Sequence, residues 1–340
     1  MDSSGPETEP LPPARAPLRL AFLGCGQAAR LHAAALRGLG SAVECRYASR
    51  DPGRARDFAA RLGGSGSFPS YEAALESPET DAIVVLTPPP QHLEWTLRAL
   101  GAGKHVVVEK PPFLHSSDFE AVDTAGLMTG RRTLVAENYH YKPLVRTLHR
   151  LITGGAVGQV RFLMVNAMKE QRTAGWRDEE AETGGGAFYE GGIHWVNLMT
   201  SLGLTVRGAR GLLPSPPSSP ERSVLALFDY AEGAVGALLH SWEAPSPLRG
   251  LRLSRIYGRE GAIAFESNGL FVAVSGRRPR LVLPGLLRDL TGRAAMWRDF
   301  VECLGTGREP RLSLAHVRRD LELVEAVYAS LADTSRRNDR

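Results

Sequence analysis

The sequence has little cysteine and no long apolar run. Its three cysteines, Cys25, Cys45 and Cys303, lie far apart and form no CxxC pair. This spacing argues against a zinc site or a disulfide framework and is typical of a reducing compartment. No apolar stretch approaches the length that crosses a bilayer. Residues 1–17 are rich in proline, glutamate and serine and lack a signal-peptide core, so we expect a disordered leader and a cytoplasmic protein without a metal site.

The sequence also lacks a cluster of like charges. Its 41 Lys and Arg and 37 Asp and Glu give a formal net charge of +4, and the basic residues are scattered. Binding to nucleic acid or to a membrane surface needs clustered basic residues, so we expect neither partner. A chain of 340 residues with 43% hydrophobic content is long enough to build two domains with their own cores. We expect its ligand to be a small molecule.

Strand and helix patterns alternate through residues 18–140. An apolar strand, Leu18–Leu23, is followed at once by the turn Gly24-Cys25-Gly26-Gln27-Ala28-Ala29 and then by an Ala- and Leu-rich helix. This arrangement predicts an α/β fold, a doubly wound parallel sheet of the Rossmann type that binds a dinucleotide. The first glycine permits the tight turn, and the second lets backbone amides approach a pyrophosphate. The alternative is a glycine-rich turn without a ligand. The candidate cofactor contacts are Gly24, Gly26, Gln27 and Ala28.

The second strand, Val43 to Tyr47, ends at the residues that choose between the two nicotinamide cofactors. An NAD site usually has an acidic residue there, which accepts a hydrogen bond from the ribose 2′-hydroxyl. This chain has Ser49 and Arg50 instead, and a hydroxyl with a guanidinium suits a 2′-phosphate. Asp51 is the competing candidate, but it precedes a proline and is expected to cap the next helix. The sequence therefore favours NADP(H) over NAD(H).

Two further strands end in rigid segments that carry polar side chains. In open α/β sheets, ligands bind in the crevice outside the carboxyl ends of the strands. The strand from Asp81 to Leu86 and the strand Val106–Val108 both end at that edge. The alternatives are a structural histidine and an ordinary surface lysine. The candidate site residues that follow these strands are Thr87, Pro88, His92, Glu109 and Lys110, the last of them before Pro111.

From about Tyr141 the pattern changes to successive strands joined by short turns. This predicts a second, α+β domain over residues 141–335, with a mostly antiparallel sheet. Within it, a glycine run at 184–186 precedes Glu190, His194 and Asn197. If the segment is helical, these three side chains lie one or two turns apart on one face. A carboxylate one turn from a histidine can fix its tautomer and raise its pKa. The alternative is a histidine that only packs on the helix.

Together these motifs resemble the Gfo/Idh/MocA family of nicotinamide-dependent oxidoreductases. The resemblance implies a Rossmann domain at 18–140 and a C-terminal domain built on a large open sheet. Family members commonly associate through that sheet, so we expect a homodimer or a homotetramer. The resemblance is carried by Gly24-x-Gly26-x-x-Ala29, Thr87-Pro88 with His92, the segment from Gly103 to Pro111, Trp176-Arg177, the glycine run with His194, and the ending Asp299-Phe300-Val301 with Thr306-Gly307-Arg308-x-Pro310.

The same resemblance implies roles for individual residues. Lys110 would bind the reacting oxygen, next to a Lys110–Pro111 bond that is often cis, and His194 would carry the proton. Hydride would move directly between the nicotinamide and the substrate carbon. Two positions depart from the pattern, because the family commonly has Asp where this chain has Glu190 and often has Asp where it has Asn197. The expected catalytic residues are Lys110, His194 and Glu190, and further substrate contacts are expected at Asn138, Trp176, Arg177 and Asn197.

The sequence therefore predicts an NADP(H)-dependent oxidoreductase that acts on a carbinol or carbonyl carbon, of a sugar, a polyol or a nucleotide-sugar. One alternative within the enzymes is a reductase of a non-sugar C=O, C=N or C=C bond. Another alternative, from a different class, is an NADP-binding sensor or scaffold that retains the fold without turnover. The presence of both Lys110 and His194 argues against a sensor.

Overall fold

The computed structural model describes residues 16–172, 185–214, 218–245, 250–284 and 289–338. The predicted contacts Trp176 and Arg177, together with Gly184, lie outside these residues. Within them, no helix is long and apolar enough to cross a membrane.

The first half of the chain forms a parallel sheet. Its strands follow the order β3-β2-β1-β4-β5-β6 across the described residues, and the sheet order reverses between β1 and β4. The central strands are fully buried on both faces, as their apolar runs predict. Because the strands are parallel, their carboxyl ends meet at one edge of the sheet. The reversal of strand order between β1 and β4 opens a crevice at that edge, and α/β sheets bind ligands in such a crevice. The strands are β1 (Leu18–Leu23), β2 (Val43–Ala48), β3 (Gly66–Phe68), β4 (Ala82–Val85), β5 (His105–Val108) and β6 (Thr133–Val135).

Helices connect these strands and cover both faces of the sheet. Asp51 caps the second of them, because its side chain accepts from the backbone N–H of Gly53 at 2.8 Å and of Arg54 at 3.3 Å. The helices are α1 (Gln27–Leu36), α2 (Pro52–Leu62), α3 (Tyr71–Glu76), α4 (His92–Gly101), α5 (Asp118–Thr129) and α6 (Pro143–Thr153), with 3₁₀ turns at Arg37–Ala42, Pro89–Gln91 and Asn138–Tyr141.

The second half of the chain builds a large mixed sheet in the order β14-β13-β12-β11-β7-β10-β9-β8. Its neighbouring strands are antiparallel, except that β10 runs parallel to β7. The predicted open and mostly antiparallel sheet is therefore confirmed. Its strands are β7 (Val160–Met168), β8 (Val206–Leu212), β9 (Ser223–Tyr230), β10 (Val235–Ser241), β11 (Leu253–Gly258), β12 (Gly261–Glu266), β13 (Val272–Gly276) and β14 (Arg280–Val282).

One face of this sheet is covered and the other is open. On β7, Leu163 and Val165 are buried, whereas Phe162 and Met164 are 56% and 48% exposed. A π-helical turn at Phe188–Gly192 leads into α7 (Ile193–Thr200), and α8 (Arg293–Thr306) and α9 (Leu314–Asn338) complete the chain. Helix α9 packs on β8 and α7. The predicted domain boundary near residue 140 falls in the 3₁₀ turn before α6 and stays a prediction.

Candidate active site

The turn between β1 and α1 has the geometry that a pyrophosphate requires. Gly24 has φ +122°, and a Cβ there would lie 2.7 Å from the Leu86 carbonyl oxygen, so only glycine fits. No atom lies within 4 Å of a Cβ built on Gly26, so the space beside it is open to a ligand. Gly26 is the N-cap of α1 and has no side chain that could accept a hydrogen bond from the first backbone N–H groups of the helix. The residues present, including Gln27 and Ala28 in the first turn, therefore fit a dinucleotide phosphate.

The end of β2 lies beside this turn, since the Gly24 backbone N–H donates to the Ala48 carbonyl oxygen at 3.0 Å. The Asp51 side chain is engaged in capping α2, as predicted, while Arg50 is exposed. Ser49 is buried, and its Oγ accepts from the Asp51 backbone N–H at 3.3 Å. Arg54 donates from Nε and Nη2 to the Cys25 carbonyl oxygen, at 3.0 and 2.7 Å, and so ties α2 to the glycine turn. The sequence analysis did not identify Arg54.

The segment after β4 is rigid and ties two strand ends together. His92 is 1% exposed, and its ring nitrogens lie 2.7 Å from the Thr87 carbonyl oxygen and 2.9 Å from that of Pro111. Burial lowers the pKa of His92 despite these carbonyl contacts. The Thr87 hydroxyl is buried without a hydrogen-bond partner among the described residues, so it can serve a ligand. His92 therefore ties the Thr87 and Pro111 carbonyl groups together, and its predicted contact with the cofactor stays a prediction.

Glu109 and Lys110 are held by a chain of hydrogen bonds that begins in the second half of the protein. Trp297 Nε1–H donates to His32 Nδ1 at 3.0 Å, so His32 carries its proton on Nε2 and donates it to Glu109 Oε1 at 3.0 Å. Glu109 Oε2 accepts from the Lys110 backbone N–H at 2.6 Å. Burial alone would raise the pKa of Glu109, but the His32 hydrogen bond and the Lys110 charge lower it to about 2. The carboxylate therefore stays ionised and fixes the strand end.

The Lys110 side chain reaches across to the glycine-rich segment. The Lys110–Pro111 peptide bond is cis, and Lys110 Nζ donates to the Glu190 backbone carbonyl oxygen at 3.0 Å. Because Glu190 lies in the π-helical turn before α7, this bond brings the lysine to the helix that carries His194.

His194 is paired with a carboxylate that the helical spacing did not predict. Its Nδ1 lies 2.8 and 2.7 Å from the two carboxylate oxygens of Glu137, which follows β6 and is 1% exposed. A carboxylate only accepts, so Nδ1 carries the proton and Nε2 is left for a substrate. Burial lowers the pKa of His194, Glu137 raises it, and the Lys110 charge lowers it. The predicted pairing of His194 with Glu190 is therefore wrong, because the π-helical turn replaces the regular helix on which that spacing depends.

The His194 ring is also fixed by stacking. Tyr139 lies parallel to it, with ring centroids 4.5 Å apart and an interplanar angle of 13°. Lys142 Nζ lies 3.9 Å from the Tyr139 ring centroid, and burial lowers the pKa of Lys142 to about 8. Neighbouring side chains thus fix the orientation of the imidazole: Tyr139 fixes the plane of the ring, and Glu137 fixes the direction of the Nδ1–H bond.

The two asparagines proposed as substrate contacts have other partners. Asn138 donates from Nδ2 to the Thr291 carbonyl oxygen at 2.5 Å. Asn197 is fully buried and donates from Nδ2 to Asp320 Oδ2 at 2.7 Å, on the side of α7 that packs against α9. Asn197 thus links two helices through Nδ2, while its Oδ1 is buried without a hydrogen-bond partner among the described residues, and its role as a substrate contact stays a prediction.

Glu137 could have been found from the sequence by the rule that selected Lys110. Both residues follow strands of the parallel sheet, and the carboxyl ends of such strands meet at one edge. His32, Tyr139 and Trp297 offered no comparable signal. In the described part of the chain, no group of three or more His, Cys, Asp or Glu could hold a metal ion.

Two family models match the chain. Residues 18–136 match the model described as an oxidoreductase family with an NAD-binding Rossmann fold. Residues 145–264 match the model described as the GFO/IDH/MocA C-terminal domain.

Relatives and solved structures agree with these matches. The chain is 34% identical over 184 residues to dTDP-3,4-didehydro-2,6-dideoxy-alpha-D-glucose 3-reductase of Saccharopolyspora spinosa, covering 53% of this chain and 54% of that protein. It is 24% identical over 320 residues to 4-carboxy-2-hydroxymuconate-6-semialdehyde dehydrogenase of a Sphingobium species, covering 88% and 94%. For several curated relatives, including the first of these two, the chain spans about half of their length.

Among solved structures, levoglucosan dehydrogenase in complex with NADH and levoglucosan has a TM-score of 0.81 at 20% identity, with 93% of this chain and 97% of that chain covered. At that identity the similarity concerns the fold. The two family models lie on the two halves that the motifs distinguished, and the resemblance inferred from those motifs is confirmed. The chain belongs to the Gfo/Idh/MocA family of NAD(P)-dependent oxidoreductases.

Proposed function

We propose that this protein transfers hydride between a nicotinamide cofactor and a carbinol or carbonyl carbon of a sugar, a polyol or a nucleotide-sugar. One observation carries the proposal: Lys110 and the His194–Glu137 pair converge at the edge of the sheet that begins with the dinucleotide turn. A cation and a proton carrier at that edge are the two groups that an alcohol–carbonyl interconversion needs.

Each residue has a role in either direction. When bound, the nicotinamide ring supplies or accepts the hydride. In oxidation, Lys110 binds the substrate oxygen and stabilises its developing negative charge, and His194 Nε2 takes the hydroxyl proton. In reduction, protonated His194 returns that proton to the oxygen. Glu137 keeps the imidazole in the tautomer that leaves Nε2 available, and it stabilises the imidazolium.

The substrate class is supported by the relatives rather than by a bound ligand. Those named for a dTDP-sugar and for levoglucosan act on carbohydrate carbons, and the proposal extends that class to this chain. A non-sugar carbonyl is the second candidate, since the relative that covers 88% of this chain is named for a semialdehyde.

We propose NADP(H) rather than NAD(H) as the cofactor. Arg50 follows β2 and is exposed, while the carboxylate of Asp51 is committed to the N-terminus of α2. Fluorescence titration with NADPH and with NADH tests this, and NADPH should bind at least about tenfold tighter, a difference of roughly 1.4 kcal/mol. Arg50→Ala should remove that preference and leave NADH binding unchanged, whereas Arg61→Ala at the far end of α2 should change neither. Equal affinities in the unchanged protein would overturn the assignment.

Replacement of Lys110 by Met tests the catalytic proposal. In an enzyme the rate of hydride transfer should fall by about 10²-fold or more, as for removal of an oxyanion-binding group, while cofactor affinity stays the same. A sensor or scaffold would bind the cofactor, transfer no hydride to any of a broad panel of alcohols and carbonyls, and be unaffected by the replacement.

We also propose that the protein forms a homodimer or a homotetramer through the open face of the large sheet. Phe162, Met164, Val235 and Tyr257 lie on neighbouring strands of that face and are all exposed. A contiguous apolar surface of this kind marks an interaction site. A cytoplasmic location is proposed as well, supported by three cysteines that are all free.

A further inference from the structure

Three basic residues border the covered face of the large sheet where β10 and β7 end and β11 begins. Lys169 directly follows β7, and its backbone N–H bonds the Ser241 carbonyl oxygen at 2.9 Å. His240 pairs with Ala167 across β10 and β7. Arg252 directly precedes β11, whose Arg255 pairs with Met164 of β7. The three side chains thus come from adjacent strands at one end of the sheet, where the His240 ring also contacts Phe188 of the π-helical turn.

Electrostatic effects agree with this placement. Partial burial lowers the pKa of Lys169, and the charges of Arg252 and Lys110 lower it further, whereas Glu190 raises it. Burial also lowers the pKa of His240 to about 3, with further lowering by Lys169, Arg252 and His194. Because β7 lies between β10 and β11, Lys169 follows the middle strand, with a neutral His240 on one neighbouring strand and Arg252 at the start of the other.

Among the described residues, neither of the two cations forms an ion pair with an acidic side chain. Among the described residues, Lys169 has no side-chain hydrogen bond or ion pair, and it is exposed. Arg252 is 6% exposed, its Nε is buried without a hydrogen-bond partner, and only Nη2 makes a hydrogen bond, to Asn268 Oδ1. His240 Nδ1 is likewise buried without a partner. A buried guanidinium that lacks its hydrogen bonds is costly to the fold, so the arrangement points to a ligand.

Two of the neighbouring carboxylates, those of Glu137 and Glu266, already have other partners. Glu137 accepts from His194 and from the Tyr139 backbone N–H. Glu266 is fully buried, and it accepts from the backbone N–H groups of Asn268 and Leu270 in its own turn. Arg252 contacts an aromatic face instead, with its guanidinium carbon 5.1 Å from the Trp195 ring centroid.

We propose that Lys169 and Arg252 bind an anionic substituent of the substrate, a carboxylate or a phosphate, while Lys110 and His194 act on its reacting carbon. The inference rests on the proposed function and narrows its substrate class to acidic or phosphorylated sugars and related acids. A planar guanidinium and an ammonium together suit either oxyanion, since both present oxygen acceptors to charge-assisted donors.

Isothermal titration of the cofactor-loaded protein tests the inference with three probes, glucuronate, glucose 6-phosphate and glucose. At least one of the two anionic probes should bind tenfold or more tightly than glucose, and the stronger of them identifies the source of the charge. Lys169→Met should weaken that probe about 10- to 100-fold and leave glucose unchanged, because only the charged contact is removed. Arg161→Met, an exposed arginine of the same strand, is the matched control and should change nothing.

The outcomes separate this inference from the proposed function. Equal binding of all three probes, no binding of either anion, or an anion affinity that survives Lys169→Met would each overturn the anion subsite. Lys169 is exposed, so this variant should fold even if Arg252→Gln, at the buried position, does not. Cofactor absorbance in the same samples reports hydride transfer. Anion binding that depends on Lys169, without hydride transfer to any compound of a broad alcohol and carbonyl panel, would overturn the enzyme proposal while leaving the subsite in place.

Discussion

Replacing Glu137 by Gln tests which carboxylate is the partner of His194: Glu137, as in the structure, or Glu190, as the helical spacing predicts. The amide keeps the size of the side chain and can still accept one hydrogen bond, but it carries no charge. The Glu137 carboxylate contacts His194 Nδ1 through both oxygens, and its side chain is only 2% exposed. The amide can also turn its NH₂ group toward Nδ1, which would move the proton to Nε2 and block that atom as a base.

The expected loss follows from these two effects. General acid–base catalysis contributes about 10²- to 10⁴-fold, and the equivalent amide substitution beside a catalytic histidine costs about 10⁴-fold in serine proteases. We therefore expect kcat/KM to fall by about 10²- to 10⁴-fold, or about 2.7–5.4 kcal/mol. Cofactor affinity should not change, since Glu137 contacts neither the glycine turn nor the end of β2.

The pH profile provides a second readout. Glu137 raises the pKa of His194 against the effect of burial, so its loss should lower that pKa. In the oxidative direction His194 must be neutral to accept a proton, and the acidic limb of the profile should move to lower pH. In the reductive direction His194 must be protonated, and activity should disappear at a lower pH than in the unchanged protein.

Steady-state rates and pH profiles of Glu137→Gln, Glu190→Gln and Glu325→Gln complete the assay. Glu325 also accepts two hydrogen bonds, from Ser116 on a distant loop, and its replacement should leave activity intact. If a folded Glu137→Gln protein keeps activity within about threefold, or if Glu190→Gln alone shows the full loss and the pH shift, the assigned role of Glu137 is wrong.

Three further changes test other parts of the structure. Trp297→Phe keeps an aromatic side chain but removes the indole N–H, which leaves the buried His32 Nδ1 without its donor and should lower the free energy of unfolding in urea by about 1–3 kcal/mol; an unchanged midpoint would contradict the hydrogen-bond chain. Met164→Glu on the open sheet face should dissociate the oligomer in sedimentation, whereas Leu127→Glu, at a site 85% exposed on α5, should not. Burial raises the pKa of Asp320 to about 8, so the native state holds a proton that the unfolded state loses near pH 4. Stability should therefore fall as pH rises from about 4 to about 8, and Asp320→Asn should flatten that dependence in denaturant titrations.

Several features followed from the sequence because their signals are local. The turn at Gly24 and Gly26 and the cap at Asp51 each depend on a few consecutive residues, and the structure has both. The short strands β3, β13 and β14 were not predicted, because three to five residues carry too little periodicity to distinguish them from loops.

By itself the sequence determined the fold class, the family and the two residues most expected to act, Lys110 and His194. The fold class, the family and these two residues follow from the alternation of strands and helices and from the residues at strand ends. Both signals are local in the sequence and do not depend on distant parts of the chain. Only the tertiary structure decided which groups surround them. Glu137 and His194 are 57 residues apart, and Trp297 and His32 are 265 apart. Such pairs form because folding brings separate elements together, and the local spacing that predicted Glu190 as the partner of His194 carries no information about those contacts.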